Sequence, residues 1–145
     1  MEHLSFHLQT NANSTIRGTL VYRPPGPRPH FCNAISKIIA PLAIESKHYL
    51  FLGDLNDSTD TKSTNLPENM SNIGLTQIVT NPTHSAGHTP DPIFTSSDRI
   101  QFSHTSELTW TDHSTVHFTI AGTPQPTSTS PSLAHRCWSK VTETQ

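Results

Sequence analysis

Three short polar segments hold the side chains best suited to chemistry, and each adjoins an apolar stretch. Asp54 and Asn56 come first, Asp91 follows, and the pair Asp112 and His113 comes last. Carboxylate and amide oxygens are ligands for hard divalent cations, and an imidazole can transfer a proton or stabilise negative charge. Brought together, these side chains would form one site for a divalent metal ion and a phosphate group.

Asp54 and Asn56 stand two residues apart after the apolar run 49–52. In an extended strand, residues i and i+2 point to the same face, so the acid and the amide would lie side by side. The carboxylate would act as a base or proton donor, and the neutral amide would hold an oxygen without repelling it. A structural alternative is that residues 53–56 form only a turn, because Gly, Asp and Asn favour turns.

A calcium-binding loop is another alternative for the same segment. Four residues with oxygen-bearing side chains occupy positions 1, 3, 5 and 7 of an EF-hand-like pattern: Asp54, Asn56, Ser58 and Asp60. Thr59 stands where that pattern needs glycine, and Asn65 stands where it needs a bidentate glutamate. The element predicted before it is a strand rather than a helix, so the pattern fits poorly.

His113 needs an orienting carboxylate from elsewhere, since Asp112 would point in a different direction along a strand. Asp91, in a proline-flanked loop, is the candidate. Tyr22 ends another predicted strand beside Arg23, so its hydroxyl and the guanidinium could contact a phosphate. The alternatives are an exposed polar turn at Asp112 and an ordinary strand tyrosine at Tyr22.

Hydrophobic periodicity predicts the elements that must position these side chains. Alternating polarity predicts strands over 4–9 and 15–22, joined as a hairpin. Apolar residues at helical spacing predict a helix over 31–43, which Pro41 would kink or stop. The run 49–52 predicts a strand buried on both faces. A helix between two strands indicates a β-α-β arrangement and an α/β fold.

The rest of the chain gives weaker patterns. They predict a short helix and three strands: 65–73 (ended by Gly74), 76–79, 93–95 and 115–120. Only Pro, Ser, Thr and Gln occur over 123–132, a composition typical of disorder. We therefore predict one domain over residues 1–121 and a Pro/Ser/Thr-rich disordered tail over residues 122–145.

Composition limits the functional classes. The 145 residues carry a formal net charge of −2 with histidine neutral, so binding nucleic acid would depend on local arginines and a metal. Cys32 and Cys137 fit no metal-ligand spacing. No apolar run approaches the roughly 20 residues of a membrane helix, and the first residues do not read as a signal peptide. We expect an intracellular protein, of the nucleus or cytoplasm and not secreted.

Taken in order, these segments resemble the endonuclease/exonuclease/phosphatase superfamily, and within it the endonuclease domain of non-LTR (LINE-type) retrotransposons. That domain shows Tyr-Arg-Pro-Pro-Gly, Gly-Asp-Phe-Asn, Thr-His with Gly, Leu-Asp-Leu-Ile-Phe and Ser-Asp-His. The corresponding residues here are Tyr22 to Gly26, Gly53 to Asn56, Thr83-His84 with Gly87, Pro90 to Phe94, and Thr111 to His113. The resemblance covers roughly residues 1–121.

The resemblance implies a partial four-layer α/β sandwich, a mixed β-sheet with flanking helices, that cleaves DNA phosphodiester bonds with Mg²⁺ or Mn²⁺. It assigns roles as follows: catalysis to Asp54, Asn56, Asp91 and His113; phosphate contact to Tyr22, Arg23 and Asn56; metal binding to Asp112. Asp54 would handle the attacking water or the leaving group, and Asp91 would orient His113. Stabilisation of the pentavalent phosphate by metal and imidazole would be the main catalytic effect.

The chain departs from this family pattern in ways that affect activity. The family's principal metal-binding Glu lies on upstream strands, and nothing before Leu4 can supply it. Pro90 and Pro92 replace Leu around Asp91, which could disturb a strand there. We therefore expect a truncated domain, weakly active or inactive, with an exposed apolar sheet face. Its partners would be DNA and a missing amino-terminal half or a fused reverse transcriptase. A non-catalytic remnant or interaction module is the alternative.

Overall fold

The computed structural model describes residues 1–10, 14–26, 30–57 and 65–121. Their elements are the strands β1 Glu2–Thr10, β2 Ser14–Tyr22, β3 Tyr49–Asp54, β4 Thr76–Gln77, β5 Ile93–Thr95, β6 Ile100–Ser106 and β7 Thr115–Ile120, with the helices α1 Phe31–Ile44 and α2 Leu66–Asn72. The predicted tail over residues 122–145, which includes Cys137, lies outside the described residues.

Five strands form one mixed sheet in the order β1-β2-β3-β5-β4. β1 and β2 are antiparallel with Leu4 opposite Leu20, which confirms the predicted hairpin. β2 and β3 are parallel and flank α1 in the chain, so the predicted β-α-β arrangement is also confirmed. β5 runs antiparallel to both β3 and β4. The sheet is therefore mixed, as the α/β prediction requires.

Both helices pack on one face of this sheet. Phe31, Ile35 and Ile39 of α1 are buried against β2 and β3 because their helical spacing puts them on one side of the helix. Pro41 does not stop α1 as predicted, since the helix continues to Ile44. A proline near the end of a helix removes one hydrogen bond, and the packing of Ala43 in the core stabilises this last turn.

The opposite face of the sheet is covered in part by a second, two-stranded sheet, β6-β7. Phe102, Val116 and Phe118 of this hairpin pack against a cluster that includes Leu50 and Ile93. β7 agrees with the predicted strand, but β6 was not predicted. Between Ile100 and its end, β6 has one apolar residue, so its sequence lacks a clear alternation. The architecture is thus a helical layer, a mixed sheet and a small second sheet.

Part of the sheet face on the β6-β7 side remains open over β1 and β2. Leu4 is 61 % exposed and Leu20 42 % exposed, and they are opposite each other in the antiparallel pair. Leu8 and Tyr22 on the same face are also exposed, whereas the Phe6 ring lies directly over Gly18. We call Leu4, Leu8, Leu20 and Tyr22 the open apolar face. Across the residues that the structure describes, no helix has the length and apolar character of a membrane span.

Candidate active site

Asp54 and Asp91 meet at one edge of the five-stranded sheet because of its strand register. Leu52 of β3 lies opposite Ile93 of the antiparallel strand β5. Asp54 comes two residues after Leu52 and Asp91 two residues before Ile93, so the same register brings the two acids opposite each other. Ligand atoms of Asp54, Asp91 and His113 all lie within 4.8 Å of one another. A cavity of about 160 Å³ opens beside the two acids, between the sheet and β7. The structure therefore brings together three residues that the sequence singled out.

Tyr22 lies at the same edge of the sheet, on the strand next to Asp54. The parallel register of β2 and β3 places Tyr22 beside Asp54, and laterally paired residues point to the same face of a sheet. The tyrosine ring is 44 % exposed. Its position suits contact with a bound phosphate, and that role stays a prediction.

Gly53 permits this close pairing of β2 and β3. Its φ of 146° lies in the positive region that favours glycine. A Cβ at this position would collide with the backbone carbonyl of Val21 on the neighbouring strand. The glycine before Asp54 therefore keeps the two strands paired as far as the site.

Hydrogen bonds fix the orientation of Asp91. Its Oδ2 accepts the Thr83 hydroxyl at 2.7 Å and faces Nδ1 of His113 at 2.9 Å. The Asp91 backbone N–H also donates to Thr83 Oγ1, at 3.2 Å. The flanking prolines do not break a strand here, because β5 begins only at Ile93. The Pro90 carbonyl accepts the Leu55 N–H instead, which ties the loop to the end of β3.

The acidic surroundings raise the pKa of His113 above its ordinary value of 6.5. Burial has the largest single effect and lowers this pKa, but the hydrogen bond that Asp91 accepts from the ring and the charges of Asp91, Asp54 and Asp112 together outweigh it. With Nδ1 held by Asp91, the other ring nitrogen remains for a ligand. The arrangement is that of an imidazole oriented and made more basic by a carboxylate.

Asn56 takes a different conformation from the one predicted. Its φ is 44° and β3 ends at Asp54, so the two side chains do not share a strand face. The Asn56 backbone N–H donates to Asp54 Oδ1 at 2.9 Å, and its side-chain amide donates to the Arg23 carbonyl at 2.8 Å. The turn alternative thus describes the backbone correctly, and the turn still leaves Asn56 beside Asp54.

Arg23 is only 6 % exposed, contrary to a role in contacting a substrate phosphate. Its guanidinium donates hydrogen bonds to three backbone carbonyls: Leu55, Gly26 and Asn56. It also lies 5.1 Å from the ring centre of Phe31. Arg23 therefore holds the turn after β3 in place, and we leave it out of the phosphate-binding set.

Asp112 belongs to a second group of possible ligands, which shares His113 with the first. Its Oδ2 is 3.2 Å from Nε2 of His84, and ligand atoms of His84, Asp112 and His113 lie within 4.8 Å of one another. A hydrogen bond from its own backbone is the main cause that lowers the pKa of Asp112, and the charges of His84 and His113 lower it further against an opposing effect of burial. The sequence motif that contains His84 predicts no role for it.

The two groups differ in the metal ions they suit. Asp54, Asp91 and His113 offer mostly carboxylate oxygen, which fits a hard cation such as Mg²⁺. The predicted metal ligand Asp112 stands instead between two imidazoles. The calcium-loop hypothesis depends on Ser58 and Asp60, which lie outside the described residues.

Comparison with solved structures shows the same fold in three proteins. CdtB, the biologically active subunit of cytolethal distending toxin, matches with a TM-score of 0.51 and 12 % identity over 81 % of this chain and 56 % of its own. Beta toxin of Staphylococcus aureus matches with a TM-score of 0.50 and 10 % identity over 81 % of this chain and 53 % of its own. The human Nocturnin catalytic domain, with bound sulfate, matches with a TM-score of 0.53 and 15 % identity over 82 % of this chain and 52 % of its own.

All three have the DNase I-like endonuclease/exonuclease/phosphatase fold, so the predicted fold class is confirmed. The chain spans about half the length of these structures. No family profile and no curated protein sequence matches the chain.

Proposed function

We propose that this chain carries the site of a divalent-metal-dependent phosphodiesterase, a DNA endonuclease of the kind found in non-LTR retrotransposons. The observation that supports it best is the 2.9 Å contact between Asp91 and His113, with Asp54 in the same group. Such a group combines a base, an imidazole and an orienting carboxylate, as the cleavage of a phosphodiester requires.

In this proposal Asp54 accepts the proton of the attacking water or acts on the leaving group. Asp91 orients His113, whose imidazole stabilises charge on the pentavalent phosphate. Asp54 and Asp91 would hold Mg²⁺ or Mn²⁺, which would supply Lewis-acid stabilisation when bound, whereas the predicted metal ligand Asp112 belongs to the group with His84. Asn56 and Tyr22 would hold the phosphate, since both lie beside Asp54.

Plasmid nicking tests this proposal. We expect slow conversion of supercoiled DNA to the nicked form with Mg²⁺ or Mn²⁺, because few carboxylates surround the site. Asp54→Asn and His113→Gln should abolish it, whereas Asp98→Asn and His7→Gln, at exposed positions away from the site, should not. Nicking that survives both site variants, or none at any metal concentration, would contradict the proposal.

The retrotransposon origin is supported by the order of the motifs from Tyr22 to His113. It implies that residues 1–121 are part of a larger endonuclease domain; the predicted tail over residues 122–145 lies outside the described residues. It also implies fusion to a reverse transcriptase and an intracellular location, in the nucleus or cytoplasm. Sequencing the transcript that encodes this chain would test both, since a reverse transcriptase reading frame should adjoin it.

The open apolar face favours a second candidate function, as an interaction module. Single exposed apolar side chains are common on protein surfaces, but here four of them share one sheet face and form a patch. The cover that fits best is an apolar face of another β-sheet, because β6-β7 already packs in this way over β3 and β5. The partner that the resemblance implies, the amino-terminal half of an endonuclease domain, would supply such a sheet.

Co-expression with the amino-terminal half of a LINE-type endonuclease domain tests this second function. We expect the two to copurify, and Leu4→Glu or Leu20→Glu to prevent it. Ile44→Glu is the control, because Ile44 is equally apolar and more exposed but lies on α1, away from the open apolar face. Equal loss in the control, or no copurification with the unaltered chain, would contradict this function.

A further inference from the structure

The group formed by His84, Asp112 and His113 has the composition of a site for a borderline transition metal. It offers two imidazoles and one carboxylate, with ligand atoms within 4.8 Å of one another. Two histidines with one carboxylate suit zinc and similar ions, whereas Mg²⁺ prefers oxygen ligands alone. The group therefore prefers a different kind of ion from the one that Asp54 and Asp91 suit.

The backbone holds the two segments of this group together. His84 and His113 form an isolated antiparallel bridge. The Ser85 N–H donates to the Asp112 carbonyl at 2.9 Å, and the Ser114 N–H donates to the Thr83 carbonyl at 2.8 Å. The group is thus largely formed before any ligand arrives, which reduces the entropic cost of binding.

The spacing of His84 and Asp112 suits a small tetrahedral ion. Ligands at about 2.1 Å from Zn²⁺ stand roughly 3.4 Å from one another. His84 Nε2 and Asp112 Oδ2 are 3.2 Å apart. A cavity of about 390 Å³ adjoins all three side chains, and it leaves room for a water molecule in the fourth position.

Metal binding would change the hydrogen bonds of the two imidazoles. His113 Nδ1 faces Asp91, so the ion would bind at Nε2 of a ring that a carboxylate already orients. His84 Nδ1 accepts the Ala86 N–H at 3.0 Å, so its proton is on Nε2 and points to Asp112. A bound ion takes the place of that proton, which moves to Nδ1. The Ala86 hydrogen bond is lost, and no net proton is released by this ring.

We propose that His84, Asp112 and His113 bind Zn²⁺ or a similar borderline divalent cation. The binding itself is independent of the proposed phosphodiesterase. Its consequence rests on that function: a cation held by His113 takes this imidazole away from the group that contains Asp54, so Zn²⁺ inhibits rather than supports cleavage.

Co²⁺ titration of the full chain, followed by visible absorption, tests the site, with Zn²⁺ displacement measured by calorimetry. We expect one saturable cobalt spectrum that Zn²⁺ abolishes. His84→Gln and Asp112→Asn should each weaken binding on the order of 100-fold, since a direct ligand matters at least as much as its supporting partners. Using two variants guards against a folding defect in one, which circular dichroism would reveal.

Two histidine variants serve as matched controls. His88 stacks on His84 with ring centres 4.4 Å apart but is not among the three ligands. His117 stacks on His104 in a separate pair, 4.3 Å between ring centres. His88→Gln and His117→Gln should bind Co²⁺ like the unaltered chain. No saturable spectrum in the unaltered chain, retained binding in His84→Gln, or loss in His117→Gln would each overturn the proposed site.

Inhibition is measured separately, as the ratio of nicking rates with and without Zn²⁺ at constant Mg²⁺. The ratio should fall well below one for the unaltered chain and stay near one for His84→Gln. An equal fall in both would overturn the inhibitory role. If no chain nicks DNA, the phosphodiesterase proposal fails, while the cobalt spectra still decide the metal site.

Discussion

Asp91 and His113 are 22 residues apart in the chain, yet the carboxylate and the imidazole lie 2.9 Å from each other. The same Asp91 oxygen accepts the hydroxyl of Thr83 at 2.7 Å. This one oxygen, in the loop before β5, thus contacts both the segment before β7 and the loop that contains Thr83. The histidine of the candidate site is oriented by contacts that are distant in sequence.

Asp91→Asn should lower the pKa of His113. The substitution removes a carboxylate that favours the imidazolium, while burial still disfavours it. NMR titration of the histidine ring protons in metal-free protein measures the change. Asp98→Asn, at an exposed position, should leave the His113 titration unaltered; an equal effect of the two variants would contradict the role assigned to Asp91.

The His113–Asp91 pair should also make stability depend on pH. Because the pKa of His113 is raised in the folded chain, its contribution is fully present below the ordinary value of 6.5 and is lost as the pH rises through the raised value. Urea unfolding from pH 6 upward should show this loss in the unaltered chain. In Asp91→Asn the slope over the same range should be smaller; parallel curves would argue against the pair.

Arg23→Lys should destabilise the fold by about 2–4 kcal/mol, because lysine keeps the charge but cannot reach three carbonyls with one planar group. Chemical denaturation measures the change. Arg17→Lys is the matched control, since Arg17 is 45 % exposed and lies 4.0 Å from Glu45 at the surface. Equal stabilities of the two variants would show that the Arg23 hydrogen bonds contribute little.

Thr83→Val should cost about 1–3 kcal/mol of stability, because valine keeps the shape of threonine but leaves Asp91 without a buried hydroxyl partner. Thr83 is fully buried and exchanges two hydrogen bonds with Asp91. Thermal unfolding compared with Thr119→Val, at an exposed strand position, gives the measurement. A change no larger than that of Thr119→Val would contradict the role given to Thr83.

Local patterns predicted the parts of the fold that bury one face regularly. The β1-β2 hairpin, α1 and β7 repeat apolar residues at strand or helix spacing, so their sequences indicate both type and face. β6 lacks such a repeat, because its pairing with β7 includes a register shift between Phe102 and His104 and every residue after Phe102 is polar. Strand pairing, rather than periodicity, makes it a strand.

The candidate site was predictable in part, for a related reason. Asp54, Asp91 and His113 stand next to recognisable strands, so their convergence follows from the sheet. The burial of Arg23 and the positive φ of Asn56 depend on the path of the turn after β3, which no local pattern gives. His84 meets Asp112 and His113 through backbone pairing between two loops that are distant in sequence, which no local pattern gives.

The backbone around Gly53 restricts this position to glycine, independently of any catalytic role of Asp54. Any side chain there meets the Val21 carbonyl, whether or not the neighbouring acid takes part in chemistry. A library of variants selected only for folding would therefore retain glycine at position 53, while Asp54 would be free to vary. Invariance of this glycine among related chains would report backbone geometry, and only the retention of Asp54 would indicate selection for catalysis.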